Sequence, residues 1–140
     1  FHQEAIVQSG LTSSRATLDM AIASIRTSPG TRMDSGLGAA HDLLTTTGRP
    51  DAASLVILLT DGRQDEHPEA AMDEADFLRN SGVRLESVGY GGDADLAFLT
   101  VLTGDSRRVH RADDETALVA LYRQLAAAND CPQSPGWSGR

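Results

Sequence analysis

The stretch Ser54–Gly62, SLVILLTDG, constrains this chain more than any other. Five apolar residues, Leu55 to Leu59, run unbroken between Ser54 and Thr60, and Asp-Gly follows at once. A run that short, rich in branched side chains and ending on a turn pair, predicts a strand buried on both faces. Such a strand belongs to a parallel sheet held between two helix layers. In sheets of that kind ligands sit just beyond the carboxyl ends of the strands. Asp61 therefore stands where the fold puts its chemistry, and Gly62 lets the chain turn sharply there. The plain alternative is that Asp61 only opens a turn, as Asp-Gly pairs often do. Spacing alone does not separate the two.

The rest of the chain alternates around that strand. Residues 1–12 (FHQEAIVQSGLT) alternate weakly around Ala5–Val7 and predict a short edge strand. Ser13 or Ser14 caps a helix in which Leu18, Ala21, Ile22 and Ile25 recur at helical spacing, and Ser28-Pro29-Gly30 stops it. A second helix opens at Asp34 or Ser35, with Leu37, Ala40, His41 and Leu44 on one face and Gly36 and Gly38 allowing close approach. Thr45–Ala53 reads as a polar loop. After Asp61, Pro68 starts a helix to about Asn80 with Ala71, Ala75 and Leu78 inward, closed by Ser81-Gly82. Val83–Tyr90 alternates as a strand, Asp93–Leu102 is a short helix, and Arg107–Arg111 is a short strand. Asp113 or Asp114 then caps a last helix bearing Leu118, Leu121, Tyr122 and Leu125. Alternating helices and strands make this an α/β chain with a three-layer, doubly wound, mainly parallel sheet.

Composition narrows the function classes. At 140 residues there is room for one domain, and 4% aromatics leave the core to Leu, Val, Ile and Ala. A net charge of −8 lacks the basic footprint by which proteins hold nucleic acid, and it suits cation binding. No apolar run approaches a membrane span. Cys131 is the single cysteine, so no disulfide can form within the chain.

Taken in order, these elements resemble a von Willebrand factor type A domain over roughly residues 1–130. The resemblance is carried by Leu11-Thr12, by Pro29-Gly30-Thr31, and above all by Leu58-Leu59-Thr60-Asp61-Gly62. Ser81-Gly82-Val83 and Val88-Gly89-Tyr90-Gly91 add to it. It implies an interaction or adhesion module, not an enzyme, with a metal-ion-dependent adhesion site at the top of the sheet. There an Asp-x-Ser-x-Ser loop, a threonine and an aspartate hold one divalent cation, and a carboxylate of a protein partner completes the shell. By position Thr31 matches the threonine and Asp61 the aspartate. Hard oxygen ligands of this kind suit Mg2+, with Mn2+ or Ca2+ as substitutes.

The sequence departs from the family at one point. It has no Asp-x-Ser-x-Ser motif, and Phe1-His2-Gln3-Glu4 resembles the end of the family's second strand. The expectation is an N-terminally truncated domain, residues 1–130, followed by a linker or tail at 131–140. Such a piece holds at most two of the site's five side chains, binds its cation weakly or not at all, and is marginally stable or unfolded alone. The edges at Ala5–Val7 and Leu55–Leu59 are expected to lack a neighbouring strand. Cys131 matches a cysteine that in some extracellular members pairs with one before the first strand. The tail CPQSPGWSGR resembles linkers that precede membrane anchors in bacterial surface proteins. Both imply an extracellular or cell-surface setting, with a parent protein that carries an anchor.

Other residues have competing readings. Asp34 either caps its helix or serves as an acceptor behind the metal. Asp65 and Glu66 either form a solvated loop or tune cation affinity, and Thr45-Thr46-Thr47 reads as loop. His2, His41, His67 and His110 share no ligand spacing. Two other interaction classes stay open: a cytoplasmic scaffold working with an ATPase, as in chelatase assemblies, and a metal-independent interaction domain. A phosphatase using Asp61 as nucleophile is disfavoured. The chain has no lysine and no glycine-rich phosphate loop after a strand, and no second acidic pair stands at another strand end.

Overall fold

The computed structural model describes residues 4–26, 29–64 and 67–129. Helices α1 (Arg15–Ser24) and α2 (Met33–Thr47) precede strand β1 (Leu55–Thr60). Helix α3 (Pro68–Asn80), strand β2 (Arg84–Tyr90) and helix α4 (Leu96–Thr103) follow. A 3-10 turn at Ser106–Arg108 leads into β3 (Val109–Ala112), and α5 (Glu115–Ala128) closes the fold. The strands pair in parallel in the order β1-β2-β3, with Leu58 opposite Ser87 and Val88 opposite His110.

Strand pleating sends alternate residues to opposite faces, and each face has its own core. Leu58 and Leu85 meet Met33 and Leu37 of α2, Ala71, Ala75 and Leu78 of α3, and Leu99 and Leu102 of α4. On the other face Val88 and Ala112 pack with Leu125 of α5, backed by Ile57, Leu118 and Leu121. Helices on both faces of a parallel sheet are the expected α/β architecture. The local signals behind it are ordinary. Pro68 opens α3, Asp95 caps α4 by accepting from the Phe98 N–H, and Asp114 caps α5 by accepting from the Ala117 N–H.

Several expectations fall. Residues 4–10 form no strand. The Ala5 N–H donates to Ser35 Oγ of α2 at 2.7 Å, and Ile6 and Val7 are exposed. A strand needs an edge to take its backbone bonds, and this segment lies against a helix. Thr45-Thr46-Thr47 is not loop but the last turn of α2. Each hydroxyl donates to a carbonyl four residues back, on His41, Asp42 and Leu43. Burial on both faces also belongs to a different strand. In β1, Leu58 and Thr60 are buried while Leu59 is 37% exposed. Leu85 to Gly89 of β2 are all buried, because β2 is the middle strand. Its alternating pattern hid this, since the polar Glu86 is itself buried. One Glu86 oxygen accepts from Arg84 Nε at 2.7 Å, and the other lies 2.8 Å from His110 Nε2. Among the described residues β1 pairs only with β2.

Helix α1 forms where the spacing puts it, capped by Ser14, whose Oγ accepts from the Thr17 N–H. None of its residues is buried, and Leu18, Met20 and Ile22 face solvent.

Candidate functional site

At the carboxyl end of β1 the chain turns on Thr60, whose hydroxyl oxygen accepts from the Gly62 N–H at 3.3 Å. This is the local bond by which a threonine closes a strand into a turn. Thr60 is buried, while Asp61, next in line, is exposed. Thr31 arrives from the other side, in the short entry to α2 that follows Gly30 (φ 109°). A Cβ added at Gly62 would lie 3.2 Å from Thr31 Oγ1. A side chain at Gly62 would crowd Thr31 Oγ1, so glycine suits the close approach of the two loops.

The residues just beyond tie the loops together. Gln64 Oε1 accepts from the Met33 N–H at 2.7 Å, and Gln64 Nε2 donates to Asp34 Oδ1 at 3.0 Å. Arg32 grips the same carboxylate with two nitrogens, Nε to Oδ1 at 2.9 Å and Nη2 to Oδ2 at 2.6 Å. The hydrogen bonds from Arg32 hold the Asp34 carboxyl at a pKa of about 2, below its ordinary 3.8. The capping expectation for Asp34 is thereby corrected. Arg32 occupies the N-cap position without a side-chain cap bond, and Asp34 lies inside the first turn. Its carboxylate takes the ion pair with Arg32, the Gln64 bond and a backbone hydrogen bond from Ser35, all from inside the first turn.

The structure thus brings the Thr31 and Asp61 loops together at one end of the sheet. Their hydroxyl and carboxylate are hard oxygen donors whose chemistry fits a divalent cation of the Mg2+ type. Among the described residues no three of His, Cys, Asp and Glu cluster as a ready metal cage. Of the other acids near the strand ends, Asp95 and Asp114 cap helices and Asp113 pairs with Arg111. The described histidines are likewise occupied. His41 stacks on Phe77, His67 meets Glu69, and His110 meets Glu86. Asp65, Glu66, His2 and Cys131 lie outside the described residues. Arg32 and Gln64 escaped the sequence reading, for neither belongs to a spacing that announces a site.

The sequence matches the family profile of the von Willebrand factor type A domain over residues 2–124. No curated protein matches at a significant level. Among solved structures, the chain is similar to proximal thread matrix protein 1 from the mussel byssus, in a form with a zinc-occupied MIDAS motif. That pair shares 25% identity at a TM-score of 0.75, over 91% of this chain and 33% of the other. A von Willebrand factor type A protein from Catenulispora acidiphila matches at 24% identity and TM-score 0.72, over 81% of this chain and 26% of that one. The pilus adhesin SpaC from Lactobacillus rhamnosus GG matches at 16% and 0.70, over 80% and 21%. This chain therefore spans a third or less of each of these chains, and the likenesses establish its fold.

Proposed function

The chain belongs to the von Willebrand factor type A family, and from that premise we propose that the Thr31–Asp61 end of its sheet is a cation-dependent surface for binding a protein partner. Domains of this family are typically non-catalytic modules that bind protein ligands. The observation that carries the reading is the approach of Thr31 Oγ1 to Gly62 beside the exposed Asp61. In this reading the Thr31 hydroxyl and the Asp61 carboxylate hold Mg2+, or Mn2+ or Ca2+ in its place. An acidic side chain of the partner takes a further position. A cation bound there supplies a Lewis-acidic anchor for that carboxylate. Within this chain Thr31 and Asp61 offer two of the oxygens, while Asp34 is already neutralised by Arg32. Two donors make a partial shell, so the affinity is weak. That the mussel byssus protein has a zinc-occupied site on the same fold supports the reading. Its source in byssus favours a setting outside the cell. No helix among the described residues is long and apolar enough to cross a membrane.

The test is a Mn2+ titration followed by paramagnetic broadening of amide signals, which senses weak binding, on the chain and on Asp61→Ala. Selective broadening near Thr31 and Asp61 that vanishes in the variant sustains the proposal. If nothing broadens, the surface works without metal, and Thr31 and Asp61 are turn residues. Calorimetry with Mg2+ extends the same comparison to the expected physiological ion.

A further inference from the structure

We infer that Gln64 is the positioning residue of this site, clamping the Asp61 loop onto the start of α2 so that Thr31 and Asp61 face one ion. The inference rests on the cation-site reading above. It gives Asp34 the role of an anchor for the clamp and not of a ligand.

The geometry is specific. The Met33 N–H lies in the first turn of α2, where a helix offers its amides no backbone acceptor. Gln64 supplies that acceptor from across the gap, at 2.7 Å. The other end of the same carboxamide donates to Asp34 Oδ1 at 3.0 Å. One planar group is therefore bonded at both ends to consecutive residues of α2, and its own backbone follows Gly62 by two positions. Rotating the amide would turn its nitrogen toward the Met33 N–H and its oxygen toward a carboxylate, so only one orientation satisfies both partners. Asp34 is buried and already bonded to two guanidinium nitrogens of Arg32. Arg32, Asp34 and Gln64 together carry no net charge, and the set holds the loops without drawing the cation away from Asp61. Thr31 sits immediately before this set and Asp61 immediately before Gly62. Loss of the clamp frees both donors to drift apart.

Three variants of the 140-residue chain test this: Gln64→Ala, Asp34→Asn and Asp61→Ala. Met33 amide exchange reports the clamp without any metal, and Val88 exchange reports the fold. In Gln64→Ala the Met33 amide should exchange faster while Val88 keeps its protection. Mn2+ affinity should fall about tenfold, the usual effect of losing a group that orients a ligand. Asp34→Asn keeps an oxygen for Gln64 Nε2, so its Met33 protection and its Mn2+ broadening at Asp61 should persist. Unchanged Met33 exchange in Gln64→Ala overturns the clamp, as does Mn2+ affinity that stays at the wild-type value once Met33 is exposed. If Asp34→Asn abolishes Mn2+ binding as Asp61→Ala does, and adding Arg32→Gln to remove the uncompensated charge does not restore it, Asp34 is a ligand and the assignment is wrong. A wild-type chain that binds no Mn2+ sinks the site reading and this inference with it. That failure is told apart by Met33 exchange that still responds to Gln64→Ala.

Discussion

Helices α1 and α3 both place apolar residues at helical spacing and meet opposite fates. In α3, Ala71, Ala75 and Leu78 are fully buried against α2, the sheet and α4. In α1, Leu18, Ala21 and Ile22 follow the same spacing, yet no residue is buried and Ile22 is 66% exposed. Local rules explain both helices equally well. Ser14 caps one and Pro68 opens the other. The difference lies in what stands opposite the stripe. A helical period names a face, and only a partner turns that face into stability.

The largest test of this contrast is Leu78→Ala, which should cost about 3 kcal/mol by leaving a cavity in a packed core. Urea denaturation followed by circular dichroism measures it. A cost under about 1 kcal/mol would place α3 no deeper than α1. The next effect is electrostatic. The Asp34 carboxyl is held at about 2 in the fold, below its ordinary 3.8. A lowered pKa contributes stability above the unfolded value, and that contribution is lost as pH falls from about 4 to about 2. Acid unfolding in that window should therefore be shallower in Asp34→Asn, by an amount on the order of 1–2 kcal/mol. The Arg15–Asp19 pair of α1 is exposed on both sides at 3.7 Å and should leave no such mark.

A smaller effect, of opposite sign, is expected at Ser87 in the middle of β2. Its side-chain oxygen is buried with no hydrogen-bond partner among the described residues. Ser87→Ala should be neutral or stabilising by up to about 1 kcal/mol, since it removes an unsatisfied group. A raised or unchanged melting temperature is the expected reading, and a drop of several degrees would mean that Ser87 has a partner in solution. Least of all should happen in α1. Ile22→Ser ought to change stability by less than about 0.5 kcal/mol. A loss like that of Leu78→Ala would show the stripe to be covered in solution.

Much of the architecture was legible because its signals are local and strong. The run at Leu55–Leu59, the Pro68 start and the inward Ala71, Ala75 and Leu78 were all read from spacing. What failed depended on tertiary context. Glu86 made β2 look half-exposed, whereas an ion pair with Arg84 and a hydrogen-bond contact with His110 allow it inside. The three threonines after Leu44 looked like loop, yet their hydroxyls bond back along the helix. Of the proposed site, Asp61 is singled out by its place at the end of β1 and Thr31 by resemblance alone, and the structure brings their loops together. Gln64 was not legible at all, because a carboxamide that bridges two loops leaves no periodic trace in sequence.

Glu86 also settles the alignment of the sheet. A parallel strand pair bound only by aliphatic contacts can slide, and a slip of one residue sends every side chain to the opposite face. Slid by one, β2 would press a carboxylate into the aliphatic layer around Leu58 and Leu99, away from His110 on β3. Arg84 travels with Glu86 on the same strand, so His110 is the partner that the observed register supplies. The costliest residue to bury in the strand thus acts as its index mark, excluding misaligned sheets that hydrophobicity alone would tolerate.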